Sequence, residues 1–145
     1  MGEDYLVILR ERGSYRLRRE GMEYPAVLSG RFQFGTLTPS DYPTVGDRVT
    51  AEQTGDGRCV ITDLRERKTL FLRRSAGTDR TEQTVAANVD TVFICMSLNR
   101  DYNLRRLERY LSLVWESGAA PVVVLTKKDL CRDAPQKQAE AERVA

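Results

Sequence analysis

The 145-residue sequence has no histidine, and its three cysteines, Cys59, Cys95 and Cys131, stand apart with no C-x-x-C spacing. Zinc sites draw on closely spaced thiolates and imidazoles, and a disulfide framework needs an even set, so neither is expected here and no metal ligand is assigned. No apolar run approaches the ~20 residues of a membrane span, and no charged-then-apolar leader follows Met1. These absences point to a soluble, cytoplasmic protein with no membrane partner. The phosphate-cradling pattern G-x-x-x-x-G-K-[ST] is missing as well. Without it no residue for phosphoryl transfer can be named, and no catalytic residue is assigned. A large charge of either sign is also lacking: 23 Lys and Arg against 21 Asp and Glu leave a formal charge of +2. The distribution of charge is therefore more informative than its sum.

With 41% hydrophobic and 30% charged residues, the chain suits one medium globular domain or two small ones. Residues 5–9 are β-prone, and residues 15–18 alternate apolar with basic at period two. Residues 24–28 form a third strand that Pro25 limits to an edge or a strand start. Residues 31–46, with Gly35, Pro39 and Pro43, read as a long loop with room for one helical turn. Strand patterning resumes at Val45 and, after the Thr54-Gly55-Asp56-Gly57 turn, again over 58–64. Five short strands with a long connection between the third and fourth predict a small closed barrel over 1–64, most economically an OB-fold; an SH3-like barrel reads similarly.

OB barrels commonly bind nucleic acid through one sheet face and neighbouring loops. Arg10 and Arg12 flank the first of those loops, with Arg16, Arg18, Arg19 and Arg31 nearby. Glu3, Asp4, Glu11, Glu20 and Glu23 nearly balance them, so a merely solvated sheet face is the competing reading. Residues 65–84 form the most basic window and read as a linker. Over 65–80, Arg65, Arg67, Lys68, Arg73, Arg74 and Arg80 face only Glu66 and Asp79, around Leu70, Phe71 and Leu72. Cations beside an aromatic suit phosphates with an exposed base, while a linker that is charged to stay in water has the same composition. The candidate RNA-binding set is Arg10, Arg12, Arg31, Arg65, Arg67, Lys68, Arg73 and Arg74.

Beyond residue 85 the pattern changes to strand, helix, strand. Residues 91–96 read as a buried strand. Asn103 is a good N-cap, and Leu104, Leu107, Leu111, Val114 and Trp115 recur at helical spacing up to Gly118, with Tyr110 beside them. Trp115 and Tyr110 are expected in the core. Pro121-Val122-Val123-Val124-Leu125 is a β-branched run of the kind buried on both faces of a parallel sheet. It stops at Thr126-Lys127-Lys128-Asp129, and ligands of such sheets bind beyond the carboxyl ends of the strands. This tetrapeptide matches the [NT]-K-x-D element that reads guanine. An ionised Asp129 offers two acceptor oxygens to the N1–H and exocyclic amino donors of the base. The stem of Lys127 can cover a base face, Thr126 can tie the turn to a neighbouring loop, and Lys128 adds mainly backbone. Residues 133–145 read as a terminal helix.

A guanine-reading element with no phosphate loop before it inverts the usual order. Together with Leu28-Ser29-Gly30-Arg31-Phe32, Val45-Gly46-Asp47-Arg48-Val49, Ala86-Ala87-Asn88-Val89-Asp90, the 104–111 helix and the 123–130 segment, that order resembles the RsgA (YjeQ/YloQ) family of circularly permuted GTPases. The resemblance implies an OB domain over 1–64, a basic linker over 65–84, and, over 85–145, the first βαβ portion of a permuted, truncated P-loop-type GTPase domain. It also implies GTP with Mg2+, GDP as product, and a Zn2+-binding C-terminal domain that this sequence does not contain. The implied partner is the small (30S) ribosomal subunit and its rRNA, with a role in late subunit maturation, subunit-stimulated hydrolysis and a monomeric state. A fragment of this kind is expected to be inactive by itself. An RNA-binding OB module with no nucleotide chemistry is the alternative.

Overall fold

The computed structural model describes residues 2–36, 38–74, 82–98, 102–130 and 132–145, with the side chains of 74, 82 and 130 outside that description. Two units, Met1–Val89 and Asp90–Ala145, make up the chain.

In the first unit, residues two apart along each strand point to the same side. Tyr5 and Val7 of β1 (Glu3–Glu11), Tyr15 and Leu17 of β2 (Ser14–Arg19) and Ala26 of β3 (Met22–Leu28) share a buried cluster with Val49 and Ala51 of β4 (Arg48–Gln53) and Cys59 and Ile61 of β5 (Cys59–Leu64). The strands close in the order β1-β2-β3-β5-β4, with β4 returning antiparallel to β1. Closure removes the free edges that would otherwise template aggregation. β3 runs parallel to β5, pairing Ala26 with Cys59 and Leu28 with Ile61. Parallel strands cannot be joined by a tight hairpin. The connection passes through α1 (Gly30–Gly35), a 3-10 turn (Pro39–Asp41) and β4. The Ser29 hydroxyl caps α1 by accepting the Phe32 amide at 3.1 Å. This is the closed five-stranded barrel expected of an OB-fold.

The fourth strand begins at Arg48 rather than Val45. Asp47 causes the delay: its fully buried carboxylate accepts the Thr44 amide at 2.8 Å and folds residues 44–47 into a turn. Gly46 completes it at φ +94°, where an added Cβ would lie 2.0 Å from the Ala87 carbonyl oxygen. Gly46→Ala therefore combines left-handed strain with a backbone clash. It is expected to remove about 2–4 kcal/mol of stability, seen as a lower urea midpoint with an unchanged slope.

The Ala87 carbonyl belongs to a segment expected as linker and domain entry, which instead pairs as a second, two-stranded sheet. β6 (Leu70–Arg74) pairs antiparallel with β7 (Glu82–Ala87). The hairpin is tied to the barrel by Ala87 N–H to Val45 O at 2.8 Å and by the Thr44 hydroxyl to Val85 O at 3.4 Å. The first unit therefore runs on to Val89. The physical reason is that Leu70, Phe71 and Leu72 satisfy their backbone groups by pairing with 84–87, a long-range contact that the flanking arginines concealed.

In the second unit, β8 (Thr91–Ser97) and β9 (Ala120–Thr126) are parallel, in register from Thr91↔Ala120 to Ser97↔Thr126, and α2 (Leu104–Ser117) connects them. Asn103 caps α2 by accepting the Arg106 amide at 3.1 Å, and Gly118 ends it at φ +91°. Leu107, Leu111 and Val114 are buried, as are Ile94, Met96 and Leu98. The terminal helix α3 (Ala134–Val144) forms as expected.

Two expectations are corrected in this unit. Trp115 is 63% exposed and Tyr110 46% exposed, because the buried stripe of α2 runs through 107, 111 and 114 and the two aromatics sit on its flanks at 100° per residue. The β-branched run is not covered on both faces either. Ile94 and Met96 are buried on one side of the sheet, but Phe93 is 66% and Val122 42% exposed on the other. Among the described residues, helices reach only one face of this two-stranded sheet.

Candidate guanine site and RNA interface

The predicted guanine-reading residues lie together at the carboxyl end of β9. Thr126 is the last residue of the strand, opposite Ser97. Lys127 follows at φ 57°, an uncommon left-handed conformation for a non-glycine residue. Lys128, Asp129 and residue 130 then form a 3-10 turn. This reversal takes Asp129 off the strand axis and leaves all four side chains, Thr126 to Asp129, exposed. Among the described residues the Asp129 carboxylate has no ion pair or hydrogen bond, so both oxygens are open to a donor edge. The expected tie from the Thr126 hydroxyl to a neighbouring loop is not present among them. The Thr126 carbonyl makes that link instead, accepting the Leu98 amide at 2.9 Å. Lys128 also lines a groove with Leu98, Val123 and Leu125.

The candidate RNA-binding cations divide into two groups. Arg67 leaves the set: only 14% exposed, it donates from Nε to Asp47 Oδ1 at 2.9 Å and from NH2 to Asp47 Oδ2 and Tyr42 O, each at 2.8 Å. Its NH1 donates to Ser40 O. With four of its five donors committed inside the protein, it is poorly placed to hold a phosphate. Arg65 is partly committed, donating to Asp4 Oδ1 from Nε at 3.0 Å and NH2 at 2.5 Å. Arg10 donates to the Thr84 hydroxyl at 2.6 Å, a neutral partner that leaves its charge uncompensated. Arg12, Arg31, Lys68 and Arg73 are exposed, with no acidic partner among the described residues. The side chain of Arg74 and all of Arg80 lie outside the described residues.

Sequence reasoning missed the residues that knit this region together. Asn88 holds φ 55°, donates its side-chain amide to Gly46 O at 2.9 Å and accepts the Lys68 amide at 2.8 Å. The Thr69 hydroxyl donates to Val89 O at 2.8 Å. The 45–49 and 86–90 segments, each notable alone, are thus two sides of one joint. A Gly-Asp pair and an Asn between apolar residues were the available signals.

A family model described as RsgA GTPase matches residues 64–145. The chain belongs to the RsgA GTPase family. Small ribosomal subunit biogenesis GTPase RsgA 2 of Lactiplantibacillus plantarum is 40% identical over 131 residues, covering 90% of this chain and 37% of that protein. RsgA 1 of Listeria monocytogenes is 46% identical over 134 residues, covering 92% and 37% respectively. The chain thus spans little more than a third of the length of these family members. Among solved structures, YjeQ from Thermotoga maritima superposes with a TM-score of 0.73 at 24% identity, covering 99% of this chain and 48% of that one. YloQ, described as a circularly permuted GTPase, superposes at 0.69 with 23% identity, covering 98% and 47%. An OB barrel followed by the opening strands and helices of a permuted GTPase domain is therefore the fold of this family member.

Proposed function

We propose that this chain supplies the rRNA-binding barrel and the guanine-reading turn of a GTPase that acts in late maturation of the small ribosomal subunit, whose hydrolysis the subunit stimulates. The observation that carries this reading is the turn at the end of β9. It exposes an Asp129 carboxylate that has no partner among the described residues, next to Lys127, at the strand end where open parallel sheets bind ligands. Asp129 would accept from guanine N1–H and the exocyclic amine, and the Lys127 stem would cover one face of the base. The relatives' printed names, small ribosomal subunit biogenesis GTPase, support the same partner and nucleotide. The barrel cations with no acidic partner among the described residues support an electrostatic contact with rRNA. A monomer working in the cytoplasm is part of the proposal. No helix among the described residues is long and apolar enough to cross a membrane.

Among the described residues no three His, Cys, Asp or Glu side chains come together to hold a metal ion. Base contacts supply selectivity, but charge stabilisation in phosphoryl transfer comes from groups around the phosphates. The 145-residue chain by itself is therefore expected to release phosphate from GTP no faster than a buffer control. Turnover above that control, in a preparation free of contaminating GTPases, would overturn this division of labour. The nucleotide side of the proposal is tested by mant-GDP fluorescence with a polypeptide that carries this segment followed by the rest of the GTPase domain. Displacement by GTP but not ATP is expected, and equal displacement by both sinks it.

A further inference from the structure

We propose that Lys137 is a positioning residue for the guanine turn, holding Lys127 and Asp129 in their base-accepting arrangement by tying the start of α3 back to the strand end from which the turn departs. This rests on the guanine reading above and deepens it, because it names a residue outside the turn on which selectivity depends. The turn needs such support. Lys127 sits at φ 57°, a conformation that is disfavoured for a residue with a side chain and persists where surrounding contacts impose it. Thr126 to Asp129 are all exposed, so packing of their own side chains does not supply those contacts.

The tie runs through Leu98. The Leu98 amide donates to the Thr126 carbonyl at 2.9 Å, and the Leu98 carbonyl accepts from Lys137 Nζ at 3.2 Å. Thr126 is the last residue before the turn, and Lys137 lies near the start of α3, which follows it in the chain. The two ends of the turn segment therefore converge on one residue, and fixing the ends of a loop removes conformations that it would otherwise explore. Leu98 is only 2% exposed, so its carbonyl is shut off from water and depends on a donor from the protein. An ammonium makes that bond stronger than a neutral amide would.

The Lys137 side chain is itself held in place. Its Nζ lies 5.1 Å from the centre of the Tyr102 ring. The Tyr102 hydroxyl shares its proton between the Lys137 carbonyl at 2.9 Å and Glu140 Oε2 at 3.1 Å. Lys137 is half-buried in this arrangement, whereas the neighbouring cations Lys127, Lys128, Arg132 and Arg143 are exposed. Charge alone therefore does not single out Lys137; its bond to Leu98 does. Removing the ammonium leaves the buried Leu98 carbonyl unpaired and releases α3 from the strand end, so the turn samples conformations in which Asp129 does not meet the base edge. In those conformations a nucleotide is held by its phosphates, which are the same whatever the base, and selectivity falls with the population of the competent turn.

The test compares GDP with inosine diphosphate, which keeps N1–H but lacks the exocyclic amine that Asp129 reads. Affinities come from displacement of mant-GDP on a polypeptide that carries this segment followed by the rest of the GTPase domain. Wild type should prefer GDP. Lys137→Met, which keeps the stem and removes the charge, should reduce that preference about fivefold, the worth of one hydrogen bond. Tyr102→Phe, which keeps the ring and removes the hydroxyl, should reduce it about twofold. Arg143→Met, which removes a cation later in the same helix, should leave it unchanged. A merely structural role lowers the fraction of folded protein for both nucleotides alike and cannot change their ratio. In the 145-residue chain, hydrogen exchange over residues 126–129 should speed up in Lys137→Met while the barrel strands keep wild-type rates. If Lys137→Met does not fold, Tyr102→Phe decides by the same ratio. An unchanged ratio of GDP to inosine diphosphate affinity in the folded variant overturns the role of Lys137 and leaves the guanine reading standing. If wild type itself binds GDP no better than inosine diphosphate or ADP, the guanine reading falls and the proposal falls with it.

Discussion

In a polypeptide that carries this segment followed by the rest of the GTPase domain, Asp129→Asn is expected to invert the preference between GTP and XTP. The substitution keeps the shape of the side chain and replaces one acceptor oxygen with an amide donor, which then faces the N1–H and amino donors of guanine. At least one charge-assisted bond is lost, and a polar group left unpaired against the base costs about 1–3 kcal/mol, or roughly one to two decades of affinity. Xanthine carries a carbonyl where guanine carries its amino group, so the new donor finds an acceptor there. A misfolded variant loses both nucleotides and cannot reverse their order, which makes the inversion more informative than a loss of GTP binding. The measurement is a competition between GTP and XTP on wild type and variant, with circular dichroism to verify the fold. Retention of the wild-type order by a folded variant removes Asp129 from base recognition. The structure makes this a clean experiment, since Asp129 has no intramolecular partner among the described residues whose loss would confuse the result.

The legibility of this site in the sequence has a simple basis. A strand that stops abruptly in polar residues marks its own carboxyl end, and in a parallel sheet that end is where a ligand binds. The left-handed Lys127 was not legible, because nothing in a Thr-Lys-Lys-Asp string signals φ 57°. The barrel strands were legible for a different reason. Tyr5 and Val7, or Tyr15 and Leu17, alternate with polar residues because only one face of each strand meets the core. The same logic failed for Trp115, where helical spacing identified the stripe of α2 but not its width. It failed again for the 70–74 and 82–87 strands, whose pairing partners lie outside any local window. Local pattern reports which face of an element is apolar, whereas partnership across tens of residues leaves no local trace.

Arg67 is the sharpest example of that limit, and its replacement is expected to cost the most stability. From its neighbours it reads as one more cation of a basic stretch, interchangeable with Arg65 or Lys68. In the fold it is the counter-charge to Asp47, whose carboxylate is entirely buried and also accepts the Thr44 amide. Both oxygens of Asp47 are held by the guanidinium fork, and two further donors close the Ser40 and Tyr42 carbonyls. Arg67→Ala strands a buried carboxylate and frees two carbonyls together. Breaking one side of such a pair typically costs about 3–5 kcal/mol, a large share of the ~5–15 kcal/mol that holds a domain of this size together. Arg67→Lys should recover only part of this, because an ammonium cannot bridge two carboxylate oxygens and two carbonyls in one plane. Urea denaturation of the 145-residue chain measures the loss, and Lys68→Ala, which removes an exposed cation from the next position, is the control expected to change stability by less than about 0.5 kcal/mol. RNA affinity separates the structural role from a phosphate-binding one. Where Arg67→Lys remains folded, its salt slope for RNA should equal that of wild type, whereas Arg12→Ala lowers it. If Arg67→Ala is as stable as Lys68→Ala and instead flattens the salt slope, then Arg67 is an RNA contact and the buried pair with Asp47 does not hold the 39–47 loop to the barrel.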